Sequence, residues 1–254
     1  MSDPKPVTRS FDVGASSFVS GTRFILGRGD WKSALAFANA ATTATPSSIA
    51  FADVREHVQS IRGDAEAWTS MTYPAVVALA NAVYDFGNNK APVYLKKLGM
   101  LLAKLGDDPS NATLLAQVEA IVQVLSRAAT DGQAAASEAA AQVAQASSRQ
   151  EAGERKLATV VTAYAGLYRT SSPSTPLLPP ALDASVGAVG DAWRQLAETL
   201  DALVQWVRAN AKGGKKFEAE LSLDAAMVEW KTAAAAADDF RTHAYVAGPS
   251  LVAV

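Results

Sequence analysis

Apolar residues recur at every third or fourth position over most of this chain, the period of an α-helix that buries one face. In the first long run the stripe is Phe51, Val54, Val58, Ile61, Ala65, Trp68, Thr72, Ala75, Leu79, Ala82 and Phe86. Pro74 lies inside it and is expected to kink the helix, because proline has no backbone N–H and crowds the carbonyl four residues earlier. Gly87-Asn88-Asn89 and Pro92 mark a second weak point, after which Val93, Tyr94, Leu98, Leu101, Leu102 and Leu105 resume the period. Gly106-Asp107-Asp108-Pro109 then predicts a stop and a restart, with Asp108 as N-cap and Pro109 at the first helical position.

The next stripe is the most regular: Leu115, Val118, Val122, Leu125, Ala129, Gly132, Ala136, Ala139, Val143, Ala146, Gln150, Gly153, Leu157, Val160, Tyr164 and Leu167. Its middle residues are small, which predicts a waist where neighbouring helices approach closely. Beyond a proline-rich stretch come Val186, Val189, Trp193, Leu196, Leu200, Leu203 and Val207. Gly213-Gly214 breaks that run. A last helix from about Ser222 to His243 carries Leu223, Val228, Trp230 and Phe240.

Upstream, residues 1–14 are polar, hold Pro4 and Pro6, and read as a loose lead-in. A short amphipathic stretch spans Phe18 to Leu26. A second helix is expected from about Asp30 to Thr43, burying Trp31, Leu35 and Phe37 or Ala38, and Thr45-Pro46 is a helix restart. No alternating strand pattern of any length stands out. The expected fold is therefore all-α, an elongated bundle of about five long antiparallel helices. A helix of about 60 residues would be about 90 Å long, which requires a rod rather than a sphere.

Composition narrows the chemistry. There is no cysteine and only His57 and His243, so thiolate zinc sites, thiol nucleophiles and multi-histidine metal centres are excluded. The net charge of −2 has no basic tract behind it, which argues against nucleic acid as a partner. No stretch of about 18 purely apolar residues suggests a conventional transmembrane helix. Met1-Ser-Asp-Pro4-Lys-Pro6 lacks the pattern of a secretory signal.

Three local candidates dissolve on inspection. Arg28-Gly29-Asp30 spells an adhesion tripeptide, but a turn followed by a helix start explains it. Lys212-Gly213-Gly214-Lys215-Lys216 lacks phosphate-loop spacing and reads as a helix break with solvated lysines. His57 stands beside Glu56 and four residues after Asp53. With no second histidine at helical spacing, it reads as a surface or boundary side chain. Nothing resembles a nucleophile with its base, so no enzyme and no cofactor are expected.

One region is unusual. From Leu157 to Gly190 the chain carries only two charges, Arg169 and Asp183, and its centre is Ser171-Ser-Pro-Ser-Thr-Pro-Leu177-Leu178-Pro179-Pro180-Ala-Leu182. Two readings stand side by side. Leu177, Leu178 and Leu182 with Pro179 and Pro180 form an apolar tip that meets one membrane leaflet, with Tyr164 and Tyr168 beneath it at the interface. Alternatively, the segment is a rigid turn whose leucines cap the bundle core.

The helical rod with an apolar head between two long helices resembles the cytolysin A family of α-helical pore-forming toxins. Within it the chain is most similar to subunits of the multi-component branch, such as haemolysin BL and the tripartite toxins. The similarity is carried by Leu35-Ala36-Phe37-Ala38-Asn39, by Trp68 with Tyr73-Pro74 and Leu79, and by the terminal helix with Trp230. The resemblance implies one elongated domain, with residues 1–170 and 183–254 forming a tail bundle and 171–182 the head. It further implies a soluble subunit, exported without a classical signal peptide, that docks on or inserts into one leaflet of a target membrane. Its partners would be membrane lipid, other subunits of the same toxin and further copies of itself. The head is shorter than in membrane-spanning subunits, which points to a docking role. A non-catalytic helical scaffold is the alternative.

Overall fold

The computed structural model describes residues 5–15, residues 32, 34, 36, 38 and 41, residues 52–164 and residues 182–247. These are mostly helical. The first long apolar stripe folds as one continuous helical run: α1 (Ala52–Ala67), a π turn (Trp68–Thr72), α2 (Tyr73–Asp85), a second π turn (Phe86–Lys90) and α3 (Ala91–Asp107). After a short turn come α4 (Ala112–Tyr164), α5 (Leu182–Lys212) and α6 (Leu223–Ala247).

The two expected weak points become π turns rather than breaks. Each lies just before a proline, and each closes with a bond spanning five residues: Tyr73 N–H donates to Trp68 O, and Ala91 N–H to Phe86 O. A wider turn carries the chain past a proline that can neither donate nor tolerate the ordinary carbonyl position. The buried stripe shifts as a result. After Thr72 it follows Val76, Leu79, Val83 and Phe86, then steps by five to Ala91 before Leu95, Leu98, Leu102 and Leu105. Ala75 and Ala82, expected on the stripe, are half-buried, and Val93 is 58% exposed.

The helix stop falls at Asp107 as expected, and the restart differs for a local reason. Asp108 does not cap α4. Its carboxylate accepts from Ser110 Oγ (3.0 Å) and Asn111 Nδ2 (3.1 Å), and Asn111 Oδ1 in turn takes the Leu114 N–H at 3.1 Å. Asn111 is therefore the N-cap, and the helix starts three residues later than the proline suggests.

Named contacts fix how the helices run. Gly132 abuts the indole of Trp193, Ala136 lies against Gly190, and Arg208 pairs with Glu119 at 2.6 Å, so α5 is antiparallel to α4. Thr72 Oγ1 donates to Gln142 O (3.4 Å) and Gly153 lies near Asp64, so α1 and α2 run antiparallel to α4. Gly87 meets the Trp230 carbonyl and Tyr73 Oη donates to Ala244 O (3.1 Å), so α6 is antiparallel to α2. The α4 and α5 stripes are buried as the sequence predicts, from Val118 to Ala146 and from Val186 to Val207. On α6, Val228 is 65% exposed, and the buried side is Ala226, Trp230, Ala233, Ala237, Phe240 and Ala244. Near the N-terminus, Ala34, Ala38 and Ala41 are helical and buried, while Trp31, Leu35, Phe37 and Thr45-Pro46 lie outside the described residues.

The N-terminal lead-in is not loose. β1 (Val7–Phe11) pairs in parallel with β2 (Phe217–Leu221), Val7 opposite Phe217 and Phe11 opposite Leu221. So short a ribbon is marginal alone. It is held by its inner face, where Phe11 and Phe217 flank Trp206 of α5 at ring distances of 5.6 and 5.2 Å. Beyond β1, Ala15 N–H donates to Glu229 Oε2 (2.7 Å), and Val13 O accepts the Trp230 indole N–H (2.9 Å). Gly214, at φ +60, ends α5 and turns the chain into β2.

Candidate functional site

Register along α4 divides the molecule into two parts. The pairing of α5 with α4 brings Leu182, the first residue of α5, level with Val143 and Ala146. The Tyr73–Ala244 bond brings the last turn of α6 level with the first π turn. α1 and the last third of α4 therefore continue side by side past the ends of α5 and α6. This arm is about 25 Å long at the usual rise per residue. Tyr164, the last residue of α4, stands at its far end.

The expected head residues fall as follows. Tyr164 is described only in its backbone, and Tyr168, Leu177, Leu178, Pro179 and Pro180 lie outside the described residues. Leu182 is 1% exposed and belongs to the main core. Its apolar side chain is held against the neighbouring helices rather than presented on an exposed tip. A leucine at the first position of an amphipathic helix starts that helix's buried stripe, and Val186 and Val189 continue it.

The arm has an interior unlike the rest. His57 is not on the surface; it is 6% exposed, with both ring nitrogens buried and unbonded. Burial foremost, and then Lys156, holds it below the usual imidazole range, while Asp64 acts in the opposite sense. Asp64 is raised, again by burial first, with Arg149 and Lys156 opposing that rise. The base of the arm is the first π turn. There Thr69 Oγ1 donates to the carbonyls of Ala65 and Glu66, and Ser70 Oγ donates to that of Glu66 at 2.7 Å. Such back-bonded hydroxyls bend helices.

At the centre of the body three rings from three helical segments meet. Phe86 stands 5.0 Å from Trp193 and 4.5 Å from Trp230, and the two indoles are 4.9 Å apart. Gly132 and Gly87 give way to them: a Cβ on Gly132 would lie 2.4 Å from the Trp193 ring. The aromatic residues stood on the predicted stripes, but their meeting depends on helix pairing that spacing alone does not set. No group of three or more potential metal ligands occurs among the described residues, and no described helix is long and apolar enough to cross a membrane. No family model, no curated protein and no solved structure matches this chain.

Proposed function

We propose that the protein is a non-catalytic subunit of a multi-component α-helical pore-forming toxin, which docks on one leaflet of a target membrane through the apolar segment 171–182. In this reading it is an elongated bundle of about five long antiparallel helices with a short apolar head. It acts outside the producing cell, without nucleic acid or cofactor, and its partners are membrane lipid, sister subunits and further copies of itself. The observation that supports the reading is the arm. Of the described long helices, α1 and α4 run past the ends of α5 and α6, and the sparsely charged stretch Leu157–Gly190 begins in the last turns of α4 and continues beyond its far end. Burial of Leu182 favours the competing scaffold reading for that one residue, so the membrane contact is assigned to Leu177 and Leu178 with Pro179 and Pro180, above Tyr164 and Tyr168.

The test is Leu177→Asp with Leu178→Asp in liposome flotation. A carboxylate in the hydrocarbon costs about 2.5–3.5 kcal/mol, so two should abolish binding while thermal stability stays near that of the parent. Undiminished lipid binding by the folded double variant, or a parent that never floats with liposomes, would remove the head from the mechanism. A fall in melting temperature with no lipid phenotype would favour the scaffold.

A further inference from the structure

His57 is buried on α1, the helix that packs along the last part of α4. Both imidazole nitrogens are buried and without a hydrogen-bond partner. The charged groups that act on it are Lys156 from α4 and Asp64 from its own helix, and Arg149 of α4 acts on Asp64 in turn. Arg55 and Glu56 adjoin it in sequence, and Glu151 and Arg155 of α4 are exposed. A neutral ring leaves one N–H donor and one acceptor unmet here but brings no charge. A protonated ring would carry two N–H donors without acceptors, beside a lysine. The segment that follows is the nearer of two weak points in the long helical run: a π turn, Pro74 without an N–H, and two hydroxyls that bond back to carbonyls of the preceding turn.

We propose that the arm is an acid-responsive element, in which protonation of His57 releases α1 from the end of α4 and the arm yields at the Trp68–Thr72 π turn. Opening returns the imidazole to water, where it takes its proton freely. The sign follows from burial. In the closed arm His57 binds its proton less readily than in the open one, so the contact is fully stable above about pH 6.5 and weakens as pH falls from there toward the closed-state value. Asp64, raised by its burial, has the opposite sign: the closed arm favours its protonated form, so its contribution grows as pH falls through the carboxylate range. Descending from neutrality, the loss at His57 begins first.

The chain has no cysteine, so paired spin labels can be placed cleanly. Gln59→Cys with Ala152→Cys, both exposed, reports on the arm, and Lys97→Cys with Gln123→Cys reports on the body. Between about pH 7.5 and about pH 5.5 the arm distance should lengthen and broaden, and the body distance should not. In a His57→Leu background the arm response should vanish. An arm distance equal at both pH values, or one that moves equally with His57→Leu, overturns the proposal. Should that variant fail to fold, His57→Gln replaces it. Nuclear magnetic resonance titration of the parent, whose only histidines are His57 and His243, gives an independent reading. An ordinary His57 titration with no accompanying shift in α1 resonances also overturns it. Every measurement is made without lipid, so its failure leaves the membrane reading untouched, and the reverse.

Discussion

The arm and the body share α4, yet they are held together by different chemistry. In the body, α4 lies against α5 and α2, and the contacts are rings seated on glycine and alanine: Trp193 on Gly132, Gly190 on Ala136. In the arm, α4 has α1 as its described helical neighbour, and the contact holds His57, Asp64, Gly153 and the cations Arg149 and Lys156. A helix with several neighbours buries a broad apolar surface. The α1–α4 contact is a narrower strip, and the polar groups in that strip subtract from what it gains. Local stability should therefore fall along α4 from its middle toward Tyr164, although the helix is continuous.

The largest effect that could break this contrast lies at Trp193. Truncating a buried indole costs about 3–5 kcal/mol, and Trp193→Ala also removes the partner of Phe86, Trp230 and Gly132. Urea unfolding should show that loss in a single transition for the body. A loss under about 1 kcal/mol would mean that the aromatic cluster is not what holds the helices together.

A smaller effect is expected at Gly87. A Cβ there would stand 2.2 Å from the Trp230 carbonyl oxygen, and a backbone atom cannot turn aside as a side chain can. Gly87→Ala should gain up to about 1 kcal/mol of helix propensity. The displacement of α6 should outweigh that gain, leaving a net loss of about 1–3 kcal/mol by thermal melting. Equal or higher stability would place α6 farther from the second π turn than the geometry requires.

What the sequence made readable follows from which forces act locally. The stripes of α4 and α5 were legible residue by residue, from Val118 through Gly132 to Ala146 and from Val186 to Val207, because unbroken helices keep their period. The stripe of α2 slipped by one, Val76 and Val83 replacing Ala75 and Ala82, because a π turn alters phase without leaving a composition signal beyond Pro74. Val7–Phe11 carries no clean alternation, since Arg9 stands between Val7 and Phe11, and five such residues read as a lead-in until Trp206 and β2 are placed beside them. Burial of His57 was hidden for the same reason. A histidine among charged neighbours reads as surface unless the helix lying over it is known. Of the candidate head, only Leu182 has a described side chain, and its place in the core continues the Val186 stripe one turn upstream.

The smallest effect sharpens the contrast most. Gly63 lies inside α1, and a Cβ there would meet nothing within 4 Å. Glycine in a helix interior costs about 0.8–1.0 kcal/mol relative to alanine, so Gly63→Ala should stabilise α1 by about that amount with no packing penalty. Where that gain is felt depends on how the protein opens. If the arm opens without the body, amide exchange in α1 should slow about five-fold, the factor that about 1 kcal/mol represents, while exchange in α5 is unchanged. If arm and body open only together, the same gain would slow exchange equally at Val58 in α1 and at Leu200 in α5. That second outcome would merge the two regions into one cooperative unit, and α4 would then be equally stable from Val118 to Tyr164.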